Sequence, residues 1–178
     1  MESYEDEISQ TLALSLIPTE EITEKSKLTG DVVDEFMLAK HLMAWFHDSF
    51  FKWVNTPECS GCGEKCEGPG RAGTCTSDER ANAAGRVEVY NCKKCNQEAR
   101  FPRYNNPAKL LETRQGRCGE WANCFALCCR SMGLETRWVN DSLDHVWVEI
   151  YSPRLRRWVH CDPCENVIDT PLMYSKVG

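Results

Sequence analysis

A thiol, an imidazole and a carboxylate occur in that order along the chain: Cys118 in Gly116-Arg117-Cys118-Gly119-Glu120-Trp121, His145 in Asp144-His145-Val146-Trp147, and Asp162 in His160-Cys161-Asp162-Pro163. Such groups together attack an amide. The thiolate adds to the carbonyl, the imidazole moves protons, and the carboxylate orients the imidazole and stabilises its charged form. Gly116 and Gly119 keep neighbouring side chains away from the sulfur. A helix opening at Cys118 surrounds it with free N–H groups and the positive end of the helix dipole, and with Arg117 beside it this predicts a lowered thiol pKa. The same setting also suits a structural cysteine at a helix start. His145 opens an alternating, strand-like run, where a histidine can face a cleft or solvent. His160 competes with it, because spacing alone does not separate the two. His41 and His47 fall on an amphipathic helix and read as structural. Pro163 ends the strand that carries Asp162 and leaves the carboxylate at its edge. Cys161-Asp162-Pro163-Cys164 also scans as a redox pair, but that chemistry needs a helix beginning at the first cysteine, and the preceding strand and Pro163 argue against one.

A second set of residues fits a metal. Cys59-Ser60-Gly61-Cys62 and Cys92-Lys93-Lys94-Cys95 are Cys-x-x-Cys knuckles separated by 29 residues. Zn²⁺ takes four soft ligands in a tetrahedron, and each knuckle delivers two thiolates from one tight turn, which Gly61 and Gly63 suit in the first. Cys66 and Cys75 are spare thiols in the connecting stretch, so the choice of ligands stays open among the six. Four thiolates leave no open position. The expected ion is one structural Zn²⁺ that holds the fold, and a wall of a cleft, without entering the chemistry.

The elements that position these groups are readable from periodicity. Residues 2–16 suit a short helix with Ile8, Leu12 and Leu16 on one face, and Pro18 to Gly30 reads as a polar connector. A stronger helix follows, capped by Asp31, with Val33, Phe36, Met37, Lys40, Trp45, Phe46 and Phe50 on a broad apolar face and Leu38, Leu42 and Met43 beside it. Pro, Gly and Cys replace that pattern over 55–96. Cys118 to about Met132 reads as a helix closed by Gly133, with Trp121, Cys124, Phe125, Cys128 and Met132 at helical spacing. Thr136 to Val139, His145 to Tyr151 and Trp158 to Cys161 read as strands, with Ser152-Pro153 as a turn. A helix followed by antiparallel strands is an α+β arrangement.

Bulk properties narrow the class. At 178 residues and 42% hydrophobic content the chain can bury a core, and six tryptophans are many for this length. The net charge of −6 is uneven. Residues 1–35 hold 10 acidic and 2 basic side chains, and the remainder holds 17 and 19. No basic run is dense enough to suggest nucleic-acid binding. The acidic first residues do not fit a signal peptide, and the most apolar stretch, Phe36 to Val54, is broken by Lys40, His41, His47, Asp48 and Lys52, so no membrane span is expected. Twelve cysteines without an export signal read as metal ligands, a nucleophile and core thiols of a cytoplasmic protein.

The segments Gly116 to Asn123, Asp144 to Trp147 and His160 to Glu165 together resemble the three core motifs of the cytoplasmic peptide:N-glycanases, members of the transglutaminase-like superfamily. Phe101-Pro102-Arg103-Tyr104-Asn105 and the segment Phe36 to Asn55 are similar to the same family, and the match covers most of residues 30–175. The resemblance implies an α+β, transglutaminase-like (papain-like) cysteine hydrolase core with an inserted four-cysteine zinc-binding module. Its expected divisions are an acidic N-terminal arm or helix over 1–30, a helical part of the core over 31–56, the zinc module over 57–100 and the catalytic core over 101–178. It implies Cys118 as nucleophile, His145 as general base and acid, Asp162 as its orienting partner, and structural zinc at Cys59, Cys62, Cys92 and Cys95. Trp53, Trp158 and Glu165 match positions that line the chitobiose-binding part of the family's cleft, where an indole face suits a sugar ring and a carboxylate its hydroxyls.

The implied activity is removal of N-linked glycans from unfolded glycoproteins with conversion of Asn to Asp, in the setting of ER-associated degradation. A Rad23-type proteasome shuttle factor is implied as partner by the family alone. The chain stops at Gly178, where the family continues with more strand and helix, so a shortened core is expected, without the adaptor and sugar-binding domains of some members. Two other readings stay open: another cysteine protease or acyltransferase of the superfamily, and a non-catalytic adaptor that binds glycans or shuttle factors.

Overall fold

The computed structural model describes residues 2–141 and 144–176; the first residue of the acidic leader and the chain's end at Gly178 lie outside the described residues. A 3-10 turn at Glu2–Tyr4 precedes helix α1 (Glu7–Leu16), whose N-cap Asp6 accepts the Ser9 N–H at 2.8 Å. The buried stripe of α1 is Ser9, Ala13 and the following Ile17, while Ile8 is 79% exposed and Leu12 43%. This corrects the expected Ile8–Leu12 face: α1 lies against the cysteine-bearing helix, and small side chains permit the close approach. The stretch expected as a connector contains helix α2 (Thr19–Lys25), which buries Ile22.

Helix α3 (Glu35–Trp45) is capped by Asp34, not Asp31. A bridge between Lys27 and Val33, turned through Gly30 at φ +78°, holds the chain non-helical up to that point. Asp34 accepts the Met37 N–H at 2.9 Å and also pairs with Arg154, which fastens the helix start to a distant turn. The buried face is Leu38, Ala39, Leu42 and Met43, with Lys40 exposed, so the apolar stripe is rotated from the expected one. The helix ends in a π turn at Phe46–Phe50, in which Phe51 N–H reaches back to Phe46 O. That turn drives Phe46 into a cluster with Phe50, Phe51, Trp121 and Phe125.

Strand β1 (Lys52–Trp53) leads to the first knuckle, then β2 (Arg71–Gly73), α4 (Ser77–Ala81), β3 (Ala84–Asn91) and β4 (Glu98–Tyr104). Strands β2-β3-β4 form an antiparallel sheet, and the second knuckle, Cys92 to Cys95, is the tip of the β3–β4 hairpin. β4 runs across the 100/101 division, so the sheet of the cysteine module is continuous with the chain that enters the core. Helix α5 (Pro107–Thr113) ends at Arg114 in the left-handed region (φ +51°), and β5 (Gln115–Gly116) then pairs in parallel with β1. Helix α6 (Cys118–Ser131) follows at once, closed by Gly133 at φ +80°.

The last layer is an antiparallel sheet, β6 (Thr136–Asn140), β7 (Val146–Ser152), β8 (Arg157–Asp162) and β9 (Val167–Ile168), in that order. Val146, Val148, Ile150, Val159 and Cys161 face α6 and join Leu127, Cys128 and Cys129 in the core, all buried. Trp147, Glu149, Trp158, His160 and Asp162 take the opposite face by alternation. Helices packed on one face of an antiparallel sheet are the α+β class expected. Among the described residues no helix is long and apolar enough to cross a membrane.

Candidate active site

Cys118 is the first residue of α6, half-buried, with Gly116 and Arg117 just before it. Gly116 is required: a Cβ there would meet Glu120 Cβ at 2.3 Å. Glu120 instead folds back over it to accept the Arg117 N–H at 2.9 Å, closing the helix start. The Cys118 thiol is not lowered as expected but pushed up. Burial is the main cause; the Gly119 N–H opposes it, and the negative charges of Glu120 and Asp144 add to it while Arg103 opposes. Arg117 offers the sulfur little net charge because its guanidinium is engaged elsewhere.

That engagement is a network that sequence reading did not anticipate. Arg117 makes two bonds to Glu88 of β3, at 3.0 and 2.7 Å. It also donates to the carbonyls of Val54 (3.2 Å) and Asn55 (3.0 Å), directly after Trp53. Arg103 of β4 bonds Glu120 at 2.6 and 2.8 Å and Glu88 at 3.2 Å, and Tyr90 O–H donates to Glu88 at 2.6 Å. Burial opposes ionisation of Glu88 and is the largest influence, yet the bonds from Arg117, Tyr90 and Arg103 outweigh it and hold the carboxyl down at about 2. Both guanidinium groups also lie over the Phe101 ring, at 5.6 and 5.4 Å. The cysteine-module sheet, the start of α6 and the chain after β1 are thereby one rigid corner.

His145 stands just before β7, its backbone tied to Asp141, whose carboxylate accepts the His145 N–H at 2.9 Å. Asp144 before it takes φ +63°, a conformation aspartate tolerates. His145 Nε2 lies 2.8 Å from Asp162 Oδ2, with the Asp162 side chain fully buried and the His145 side chain 25% exposed. Asp162 Oδ1 accepts the N–H of Cys164 at 2.9 Å and of Glu165 at 3.4 Å, as a strand end followed by a Pro163 turn permits. With Nε2 committed to Asp162, Nδ1 is the nitrogen left to exchange a proton. The structure separates the two histidines: His160 points at Tyr174, 2.7 Å away, not at the carboxylate. Cys118 lies within charge–charge reach of Asp144 and Cys164, the neighbours of His145 and Asp162. Cys161 is fully buried in the core, and the segment is a strand end, not a helix start, which disfavours the redox pair.

A cleft of about 370 Å³ opens beside these groups, lined by His47, Phe51, Trp53, Trp121, Cys164 and Glu165. Pairing of Trp53 with Gly116 places this indole, 47% exposed, two residues from Cys118 in register. Trp53 and Glu165 are therefore brought together. Trp158 is not: it lies four residues back along β8 from Asp162, roughly 13 Å at strand rise, beneath the Arg137 guanidinium at 4.3 Å. His47, read as structural, is part of the cleft wall.

The sulfurs of Cys59, Cys62, Cys92 and Cys95 all lie within 4.8 Å of one another, with two pairs at 3.5 Å. A tetrahedral ion about 2.3 Å from each sulfur requires sulfurs roughly 3.8 Å apart, so the four fit a metal. The knuckles match each other: Gly63 and Asn96, each following the second cysteine, both take positive φ and return an N–H to the first cysteine's carbonyl. The Cys92 thiol is lowered to about 6, first by the Cys95 N–H of its own knuckle. Cys66 is buried beside the cluster and Cys75 donates to the Ala84 carbonyl, so neither belongs to the four.

A family model described as the transglutaminase-like superfamily matches residues 70–163, a span that holds Cys118, His145 and Asp162. Curated relatives named peptide-N(4)-(N-acetyl-beta-glucosaminyl)asparagine amidase are similar along nearly the whole chain. The Caenorhabditis elegans protein is 50% identical over 98% of this chain and 28% of its own length. The human protein is 49% identical over 97% and 28%, and the Arabidopsis thaliana protein 46% over 97% and 25%. The chain spans about a quarter of the length of these relatives.

Proposed function

The chain belongs to the transglutaminase-like superfamily, and from that premise we propose that it is an amidase of the peptide:N-glycanase kind, cleaving the bond between an asparagine side chain and its N-linked glycan. The observation that carries the catalytic half is the His145–Asp162 pair, 2.8 Å apart, beside the helix start that bears Cys118. The substrate half rests on the names of relatives near 50% identity.

In this reading His145 Nδ1 takes the Cys118 proton as the sulfur adds to the Asn side-chain carbonyl. The raised thiol makes that base necessary, since little thiolate stands ready. Collapse of the tetrahedral adduct breaks the carbon–nitrogen bond, and the imidazolium returns its proton to the departing glycosylamine. Water, deprotonated by His145, then cleaves the thioester and leaves Asp in the peptide and a free Cys118. Asp162 holds the ring and stabilises its charged form. Trp53 and Glu165 offer an apolar face and a hydroxyl acceptor to the first sugars; Trp158 serves at most a remoter part of the glycan. The ion at Cys59, Cys62, Cys92 and Cys95 is Zn²⁺, one per chain and structural, holding the sheet that carries Glu88 and Arg103. The substrates are unfolded N-glycoproteins met in the cytoplasm during ER-associated degradation, and a Rad23-type shuttle factor is the proposed partner.

The test is incubation with a denatured N-glycopeptide and mass spectrometry. Release of the intact glycan with Asn converted to Asp, abolished in Cys118→Ala, supports the reading. Peptide-bond cleavage or amine incorporation instead would move the chain to another activity of the superfamily, and glycan binding without turnover to an adaptor.

A further inference from the structure

Tyr174 reaches the site from outside the strands that carry His145 and Asp162. Its hydroxyl lies 2.6 Å from Asp162 Oδ2 and 2.7 Å from His160 Nε2. Its ring packs on His145 (centroids 4.4 Å apart) and stacks with Trp147 at 5.3 Å. A carboxylate only accepts, so the hydroxyl proton goes to Asp162 and the hydroxyl oxygen accepts from His160 Nε2–H. His160 Nδ1 is buried with no partner among the described residues, and a bare lone pair there costs less than an unpaired N–H, which favours the Nε2–H form of the ring. The order of donation is therefore single-valued, His160 to Tyr174 to Asp162, and it converges on the oxygen that also receives His145. Asp162 then has two donors on each oxygen: Cys164 and Glu165 N–H on Oδ1, Tyr174 and His145 on Oδ2.

We propose that Tyr174, itself held by His160, is a positioning residue for the His145–Asp162 pair. It fixes which Asp162 lone pair faces His145 and withdraws part of the carboxylate's charge from the imidazole. This rests on the reading of His145 as base. The Tyr174 hydroxyl is held well above its ordinary 10.0, first by burial and then by its bond to Asp162, so it stays a donor throughout the working range. Burial likewise lowers His160 and keeps it neutral. The other titratable groups facing this cluster are Glu149 of β7, Asp169 beyond β9, and Cys164 and Glu165 of the turn after β8.

The experiment is Tyr174→Phe in the zinc-loaded chain, read by turnover and by NMR titration of His145, one of four histidines. Loss of a bond to a charged group predicts a fall in kcat of about 10-fold or more, with KM changed less than about twofold. The His145 midpoint of the variant should lie above that of the wild type, because the carboxylate's charge returns to the ring. His160→Gln keeps a donor where Nε2 stood and should retain most activity, whereas His160→Leu should behave like Tyr174→Phe. A folded Tyr174→Phe with kcat and His145 midpoint both unchanged overturns the proposal; so does a His160→Gln as damaging as His160→Leu, which also decides the matter if Tyr174→Phe fails to fold. Should the wild-type chain release no glycan, the activity reading fails alone, and the His145 midpoint still tests the role of Tyr174.

Discussion

Replacing Glu88 by Gln removes one charge from the corner that joins the cysteine module to Cys118 and changes almost no volume. In the folded chain the carboxyl sits at about 2 against an ordinary 4.5. At about 1.4 kcal/mol per tenfold this corresponds to roughly 3 kcal/mol of stability at neutral pH. The side chain is 18% exposed, so partial screening trims the figure to about 2–3 kcal/mol. Breaking a buried pair of this kind is expected to cost at least that much, since Arg103 (11% exposed) and Arg117 (26%) keep their charge. For a chain of this size the loss appears as a fall in Tm of roughly 5–10 °C. The sign with pH follows from a lowered folded value: the contribution is complete above about 4.5 and disappears as pH falls toward 2. Scanning calorimetry of both proteins should therefore show the Tm gap at pH 7 more than halved at pH 3. A gap below about 2 °C at pH 7, or one undiminished at pH 3, refutes the assignment of a strong ion pair here.

Other perturbations reach different parts of the molecule. With His145→Ala, alkylation of the Cys118 thiol should rise only above pH 9, because burial holds the thiol above its ordinary 9.0; a midpoint below that value contradicts the need for a base. Metal analysis should give one zinc per chain, and its removal by chelator should lower Tm by more than about 10 °C, with the β3–β4 amides losing hydrogen-exchange protection before those of α6. Phe46→Ala, at the centre of the aromatic cluster, should cost about 3–5 kcal/mol in denaturant titration, with the His145 titration unchanged in the folded fraction. Glu165→Gln should raise KM for glycopeptide more than it lowers kcat, which kinetics on one substrate will separate.

Much of the architecture is legible in the sequence because it follows local rules. The strands from 136 to 162 announce themselves by Val-rich alternation, and α6 by the spacing of Trp121, Cys124, Phe125 and Cys128 with Gly133 to end it. The four cysteines that could hold a metal are near neighbours along the chain in pairs, so their association needs only that two turns meet. The faces of α1 and α3 differ from expectation for one reason. Which stripe of a helix is buried depends on what packs there, and against α6 a Ser9–Ala13 stripe approaches more closely than Ile8 and Leu12 can. The lowered thiol expected at Cys118 is absent for a related reason: a helix dipole and Arg117 act locally, whereas burial and the distant Glu88 that engages Arg117 belong to the assembled corner.

The sequence alone set out the chemistry available: a thiol, two competing imidazoles, a carboxylate and paired cysteines that suit a metal, with the elements that carry them. Residue types and periods of two or 3.6 are properties of a few neighbouring positions. Residue spacing left His145 and His160 level, and the family resemblance favoured His145. The tertiary structure shows which ring meets Asp162, because 2.8 Å from His145 to that carboxylate is a fact of strand register. It alone brought Tyr174 onto the same oxygen, set Trp53 beside Gly116, left Trp158 under Arg137, and linked Arg117 to a carboxylate 29 positions away. These are long-range contacts fixed by packing, and no local pattern encodes them.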